Sequence, residues 1–472
     1  MSKLEIPHQS YPWVISVAGI GAFMTTLDVG IINIALPYLK TAFKTNLTTI
    51  AWTITIYTLT LSASIILFGR LSDRVGRLKI FKIGVIIFGI SSLACGFAIT
   101  PWEIILFRAI QGIGASMIQA TSVALITTLL PEEDHPRAIG TFGTLLGLGN
   151  ILGASLGGII ISLLGWPWVF WINVPLCFFV LWGAFQFKCT FPKNAVKIDY
   201  VGISLIAVFT ILFLSAIEWL AYPETRQNSL YAGVFCAVVF IIFALWERYT
   251  KNKLVDFKYF LNAQMGTLCL ATIAFASSLS LYLIIPPLFL QKTTTLLPWQ
   301  IGFITFCGPL GYVATSQFTG KLMQKFCSKH IMMIGEIIML IGLIILSFIS
   351  RDWDLYFFGS LLFLVGIGGG LLFSPNVASI MKQVPKHIQG TAGAYNRMIH
   401  NFGLSFGAAI AAMWIQLSVA NNPSGFNIHG YRYVWVTGCV IVAISLLLLF
   451  LVKIKGSEQP DGEDTISLNA ME

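Results

Sequence analysis

Between residues 13 and 452 the chain passes through fourteen apolar stretches, each 17 to 29 residues long, with short polar loops between them. They lie at 13–36, 48–68, 80–99, 102–130, 138–163, 168–187, 199–219, 230–246, 264–290, 299–319, 331–349, 355–375, 389–417 and 433–452. A helix needs about 20 residues to cross about 30 Å of hydrocarbon. Lipid offers no partner to a backbone N–H or C=O, so stretches of this length are expected to be helical. The pattern predicts an all-α polytopic membrane protein with 14 transmembrane helices. Only 10% of the 472 residues are charged and 56% are hydrophobic, with mean hydropathy +0.82. Soluble domains carry about 25% charged residues, so a soluble enzyme on a single anchor is excluded. No cleavable-signal pattern opens the chain, and the first span is expected to be retained.

The net charge is +9. The basic residues sit in short loops rather than in an aromatic-interleaved patch, which points to a membrane face and away from nucleic acid. An even number of spans puts both termini on one side. Of the 29 Lys and Arg, 21 then fall on the side of the termini, six on the opposite side, and two, Arg108 and Arg397, inside spans. Such an excess marks the cytoplasmic side. A multi-pass protein of the inner (cytoplasmic) cell membrane is expected, with the lipid bilayer as a partner and both termini cytoplasmic. The eight cysteines form no C-x-x-C pair and most lie in apolar runs. They read as small buried hydrophobes, with neither disulfide nor metal role.

The chain repeats itself at long range. Gly69-Arg70-Leu71 is echoed by Gly320-Lys321-Leu322, and Gly153-x-Ser155-x-Gly157 by Gly403-x-Ser405-x-Gly407, at offsets of 251 and 250. Two echoes at one offset indicate two homologous halves, a layout common in secondary transporters. The expected organisation is an N-terminal six-helix bundle at 1–190, an inserted helix pair with its flanking loops at 191–258, a C-terminal six-helix bundle at 259–455 and a disordered tail at 456–472. The two G-x-S-x-G segments match a nucleophile elbow by pattern, but an elbow needs a strand before it. Both lie within apolar helical runs, where small residues let backbones approach closely. No enzyme activity is expected, and no Walker motif suggests a nucleotide-driven pump.

The densest polar segment between two spans is Gly69-Arg70-Leu71-Ser72-Asp73-Arg74-Val75-Gly76-Arg77-Leu78-Lys79. It resembles the loop between spans 2 and 3 of the major facilitator superfamily, with Leu78 where the last basic residue usually stands and Lys79 one place later. Leu27-Asp28-Val29-Gly30-Ile31-Ile32-Asn33-Ile34-Ala35-Leu36-Pro37, Arg108-Ala109-Ile110-Gln111-Gly112-Ile113-Gly114 and Gly149-Asn150-Ile151-Leu152-Gly153-Ala154-Ser155-Leu156-Gly157-Gly158 resemble the fourteen-span drug:proton antiporter branch of that superfamily. Gly30 replaces that branch's Thr, and Ala154 its Pro. Trp166-Pro167-Trp168-Val169-Phe170-Trp171-Ile172-Asn173-Val174-Pro175 and the start of the inserted pair, Asp199-Tyr200-Val201-Gly202, resemble it as well. The resemblance covers about residues 13–452 and implies the major facilitator fold.

A carboxylate in mid-span costs roughly 2.5–3.5 kcal/mol on insertion scales, so Asp28 reads as a proton-binding group or as a structural hydrogen-bonding one. Resemblance gives Arg108 a part in proton coupling or in holding span 4 against span 1. Asn33, Gln111, Asn150, Arg397 and His400 are candidates to line a substrate cavity; Arg397 and His400 are three apart and share a helix face. Gly69, Asp73, Arg74, Gly76 and Arg77 are expected to form a conformational latch, and Gln324 stands where the second-half copy would need the acid. Gly149, Gly153, Gly157 and Gly158 are the expected helix-packing motif. Glu218 and Glu336 are placed near span ends, in structural roles.

These features together suggest a proton-coupled secondary transporter exporting amphipathic small molecules or drugs by alternating access. Its cofactors are none, with protons as coupling ion and a small molecule as substrate, and it is expected to act as a monomer. A dedicated carrier for one metabolite, such as a vitamin, siderophore or lipid-like compound, and a transport-dead membrane sensor are the alternatives. The charge bias is testable directly. In a cysteine-free background, a cysteine introduced at position 253 or 325 is expected to resist an impermeant thiol reagent added outside intact cells. Labelling from outside would reverse the assigned orientation.

Overall fold

The computed structural model describes residues 11–45, 47–187, 199–220, 225–250, 259, 262–385, 388–420 and 427–454. The expected tail at 456–472 and most of the two linkers flanking the inserted pair lie outside these residues. Every extended element among them is a helix: α1 (Tyr11–Ala42), α2 (Leu47–Val75), α3 (Arg77–Gly96), α4 (Pro101–Leu129), α5 (His135–Leu164), α6 (Trp168–Trp171), α7 (Asn173–Gln186), α8 (Tyr200–Leu220), α9 (Arg226–Tyr249), α10 (Ala263–Thr293), α11 (Pro298–Thr305), α12 (Cys307–Met323), α13 (Ser328–Leu346), α14 (Leu355–Lys382), α15 (Gln389–Ala420) and α16 (Ile428–Leu451). Twelve spans among the described residues are long and apolar enough to cross a membrane. The stretch expected at 138–163 is the 30-residue α5, and that at 299–319 is divided at Phe306 into α11 and α12. The stretch at 168–187 is also interrupted, at Ile172, and α7 begins afresh at Asn173.

The described residues belong to two compact units, one within 1–211, 246–254 and 384–398, the other within 212–245, 255–383 and 399–472. In the first unit α1 packs along α5, and α4 packs against both α2 and α3. In the second, α14 packs against α12 and α13, and α16 against α10 and α13. The polar ends of the inserted pair are tied within the first unit. One Asp199 oxygen accepts the Gly202 amide at 3.0 Å, at the start of α8, and the other accepts the Trp246 indole N–H of α9 at 2.8 Å.

Between lipid-covered helices the hydrophobic effect gives little net attraction, so close packing must hold them. Glycine supplies it where α5 meets α1. A Cβ at Gly153 would stand 2.5 Å from the Leu27 carbonyl oxygen and 2.8 Å from Gly30 Cα, and one at Gly149 would stand 2.5 Å from the Phe23 carbonyl oxygen. Gly157 faces Ile31 at 3.3 Å, whereas a Cβ at Gly158 would meet nothing within 4 Å. The packing motif is therefore Gly149, Gly153 and Gly157. These are four apart and share a face; Gly158, one residue on, is rotated off it. The echo holds in three dimensions: a Cβ at Gly403 would stand 2.7 Å from Ala276 Cβ, and one at Gly407 2.6 Å from the Ser277 carbonyl oxygen. Each G-x-S-x-G segment is thus a helix–helix contact.

Because the atoms facing Gly153 are backbone, they cannot turn aside. Gly153→Val is expected to lower the thermal stability of the purified protein, with overpacking costing about 1–3 kcal/mol. Gly158→Val is expected to leave it nearly unchanged, and equal losses in the two variants would contradict the assigned contact.

Candidate functional site

Thr100 and Pro101 start α4 cleanly. The Thr100 hydroxyl accepts the Glu103 amide at 3.3 Å while the Glu103 carboxylate accepts the amides of Ile99 and Thr100, and Pro101 occupies the first turn, where no amide partner is needed. Two turns further on, Arg108 and Gln111 project from one face of α4 into the centre of the first unit. Asp28 comes to meet them from α1. Asp28 and Arg108 are 1% and 0% exposed, and they form a direct ion pair through Arg108 Nη1 and Asp28 Oδ2.

A pair buried this deeply is tolerable only when its remaining donors and acceptors are engaged. Asp28 Oδ1 accepts Gln111 Nε2 at 3.0 Å and Asn173 Nδ2 at 2.9 Å. Arg108 donates from Nη1 to Gln111 Oε1 at 2.7 Å and from Nε to the Thr53 carbonyl at 3.0 Å. Gln111 Nε2 also donates to Ser92 Oγ at 2.6 Å. The guanidinium carbon lies 4.1 Å from the centre of the Tyr57 ring and 6.0 Å from that of Phe170, where the ring faces attract a desolvated cation. Six helices, α1, α2, α3, α4, α6 and α7, contribute to this one charge pair. Two buried atoms of the cluster, Arg108 Nη2 and Asn173 Oδ1, have no hydrogen-bond partner among the described residues.

A second polar centre joins α2 to the start of α15. Asp73 Oδ1 accepts the Gly390 amide at 3.1 Å, and Oδ2 accepts both the amide and the hydroxyl of Thr391, at 2.9 and 3.0 Å. The carboxylate thus caps the first turn of another helix, where free N–H groups and the helix dipole favour negative charge. Arg77 holds it there, donating to Asp73 Oδ1 at 3.0 Å and to the Ala124 carbonyl at 3.1 Å; it also bonds the Thr128 hydroxyl. Thr127 Oγ1 donates to Gln389 Oε1 at 3.1 Å. Gly69 allows the approach: a Cβ there would stand 2.5 Å from Ala394 Cβ and 2.9 Å from the Gly390 carbonyl oxygen. Gly76 turns the chain from α2 into α3 at φ +113°, a conformation that favours glycine. Arg74 is exposed, and no bond joins it to this cluster among the described residues.

Of the expected cavity residues, Gln111 belongs to the Asp28 cluster. Arg397 donates from Nε to Gln119 Oε1 at 2.7 Å in the first unit. His400 is 3% exposed in the second unit, where it lies against the rings of Phe275 and Phe373 at 5.9 and 6.5 Å. The side chains of Asn33, Asn150 and Glu218 lie outside the described ones. Glu336 departs from its expected place near a span end. It is the ninth residue of α13 and fully buried, and its Oε1 accepts the Ser445 hydroxyl of α16 at 2.6 Å. The structure adds Asn173, Ser92, Thr53 and Tyr57 to the Asp28 cluster. For Asn173 the sequence does carry a cue, an Asn two residues before a proline that can start a helix in the apolar stretch.

The family profile of the major facilitator superfamily matches residues 18–283 and 267–469. The chain belongs to the major facilitator superfamily. Among its relatives, the riboflavin transporter RibZ of Clostridioides difficile (strain 630) is 30% identical over 451 residues, 93% of this chain and 97% of that one. Multidrug resistance protein 3 of Bacillus subtilis (strain 168) is 29% identical over 385 residues, 81% and 75% of the two chains. In fold, this major facilitator protein is similar to the human organic anion transporter MFSD10 (TETRAN), with TM-score 0.68 and 14% identity over 94% of this chain and all of that one. It is likewise similar to the proton:xylose symporter XylE, with TM-score 0.66 and 15% identity over 97% and 99% of the chains. It is a multi-pass membrane transporter, and not an enzyme.

The geometry at Asp73 has a measurable consequence. Asp73→Asn removes the charge that faces Arg77 and the first turn of α15. Such a charge at a partly buried helix end is worth up to about 2 kcal/mol, roughly a thirtyfold change in a conformational balance. Transport at matched expression is expected to fall at least tenfold on that balance while membrane insertion is unchanged. Near-normal transport would reduce the segment to an orientation signal.

Proposed function

We propose that this major facilitator protein is a proton-coupled exporter of amphipathic small molecules, working by alternating access in the cytoplasmic membrane with both termini cytoplasmic. The observation that carries the reading is the buried Asp28–Arg108 pair. Arg108 keeps its charge at every physiological pH. When Asp28 takes a proton, the guanidinium loses its counter-ion in a low-dielectric setting, and an uncompensated buried charge of this kind costs about 3–5 kcal/mol. Proton uptake therefore favours any arrangement that gives Arg108 a new partner or access to water. That is the physical form of coupling: proton binding and helix rearrangement are paid together. One proton moved through 100 mV supplies about 2.3 kcal/mol, roughly a fifty-fold substrate gradient.

The export direction is supported by the relative named a multidrug resistance protein. A second reading, a dedicated carrier for a vitamin-like heterocycle, is supported by the riboflavin transporter that aligns with nearly the whole chain. A binding panel of cationic dyes, antibiotics and riboflavin separates the two: one tight ligand favours the dedicated carrier, and graded binding of many favours the exporter.

The proton role is tested in proteoliposomes with an imposed pH gradient. Asp28→Asn, neutral at every pH, is expected to abolish accumulation of substrate against its gradient while leaving downhill exchange measurable. Accumulation at the unmodified rate would make the carboxylate structural and move coupling elsewhere, with the buried Glu336 and His400 the next groups to test.

A further inference from the structure

Arg397, Gln119 and Thr25 were not assigned to the Asp28 cluster, yet an unbroken line of contacts joins them to it. Arg397 Nε donates to Gln119 Oε1 at 2.7 Å, and Gln119 Nε2 donates to Thr25 Oγ1 at 3.0 Å. Thr25 lies three residues before Asp28 on α1 and so shares its face. The Thr25 carbonyl accepts the Tyr57 hydroxyl at 3.2 Å, and the Tyr57 ring lies against the Arg108 guanidinium at 4.1 Å. Gln119, Thr25 and Tyr57 are 6%, 0% and 1% exposed, so water does not compete freely for these bonds. Gln119 is suited to the middle place because an amide donates and accepts at once. Thr25 Oγ1 already donates to the Ala22 carbonyl at 2.7 Å, so toward Gln119 it can only accept.

We propose that Gln119 is a positioning residue that ties the start of α15 to the Asp28–Arg108 pair, making the hold on α15 depend on whether Asp28 carries a proton. The proposal rests on the proton-coupling reading of Asp28. Arg397 lies six residues beyond Thr391, about 9 Å further along α15. Asp73 and Gln119 thus grip one helix at two heights, the first at its end and the second about 9 Å further along. The titratable groups that neighbour Asp28 on the packed helices are Arg108 of α4, Tyr57 of α2, Cys95 of α3 and Cys177 of α7. Arg108 is the cation among them, and its loss of a partner on protonation is transmitted through Tyr57 to Thr25, and from Thr25 through Gln119 to Arg397. The arrangement seen here, with Asp28 paired, is the one in which α15 is held. Removing the tie weakens that arrangement, so less acid is needed to leave it.

The test uses full-length protein in lipid nanodiscs, with spin labels on the exposed positions 79 and 382 and the fraction of molecules in the held arrangement followed across a pH series. Gln119→Leu removes both bonds, and Thr25→Val removes the acceptor at nearly constant volume. Each is expected to raise the pH of half-release by about one unit, a tenfold change in the balance between arrangements. Thr25→Ser keeps the hydroxyl and is expected to match the unmodified protein. A midpoint unmoved in both Gln119→Leu and Thr25→Val, whatever happens to thermal stability, overturns the proposal. Asp28→Asn separates it from its premise. A pH response lost in Asp28→Asn and unshifted in the other two defeats the tie alone. A response that survives in Asp28→Asn defeats the proton reading and the tie with it.

Discussion

Arg108 cannot shed its charge, so Asp28 decides whether the centre of the first unit holds a neutral pair or a bare cation. Everything around the pair follows from that constraint. Asn173 and Gln111 donate to one carboxylate oxygen, the Thr53 carbonyl accepts a hydrogen bond from Nε of the guanidinium, and Tyr57 and Phe170 offer it ring faces. Replacing the whole set by apolar residues would cost little stability and could increase it. A buried ion pair on those terms is weak evidence for stability, and the proposed proton role gives it a use that stability does not.

The site also depends on how closely α1 can lie against its neighbours. Leu27 and Gly30 flank Asp28 in sequence, and their backbones rest on Gly153 of α5. Small residues therefore help fix the position of the acid, together with its hydrogen bonds. The same helix carries Thr25 one turn away, so a displacement of α1 is felt at the charge pair and at Gln119 together. At Gly153 the packing is backbone against backbone, which leaves few intermediate positions between one seating and another.

Much of this was legible in the sequence, for physical reasons that also explain what was not. Hydrocarbon thickness sets the length of a span, so the helices stand out, and a charge within one stands out against them; Asp28 and Arg108 were visible on that ground, and Asp73 through the resemblance of its loop. The helix breaks at Ile172 and Phe306 leave no trace in hydropathy. Neutral polar residues are ambiguous in a span because a hydroxyl can bond its own helix. Thr121 does so with the Met117 carbonyl at 2.7 Å, whereas Ser92 serves the charge cluster. Nothing local separates the two cases, and so Ser92, Thr25 and Gln119 went unmarked. Glu336 was misplaced because its depth was judged from an assumed span boundary, while α13 begins at Ser328. Gly158 was grouped with its neighbours by motif although helix geometry sets it on another face.

The first turn of α15 has an unusual dependence. The residue before it is Ile388, whose side chain has no oxygen to offer an amide, and its second residue is Gly390, a poor helix former. The cap comes instead from Asp73, on a different helix. Without that carboxylate the amides of Gly390 and Thr391 lose their acceptor, a loss of about 0.5–2 kcal/mol at a helix start. The start of α15 is thus only as firm as the grip of α2 upon it.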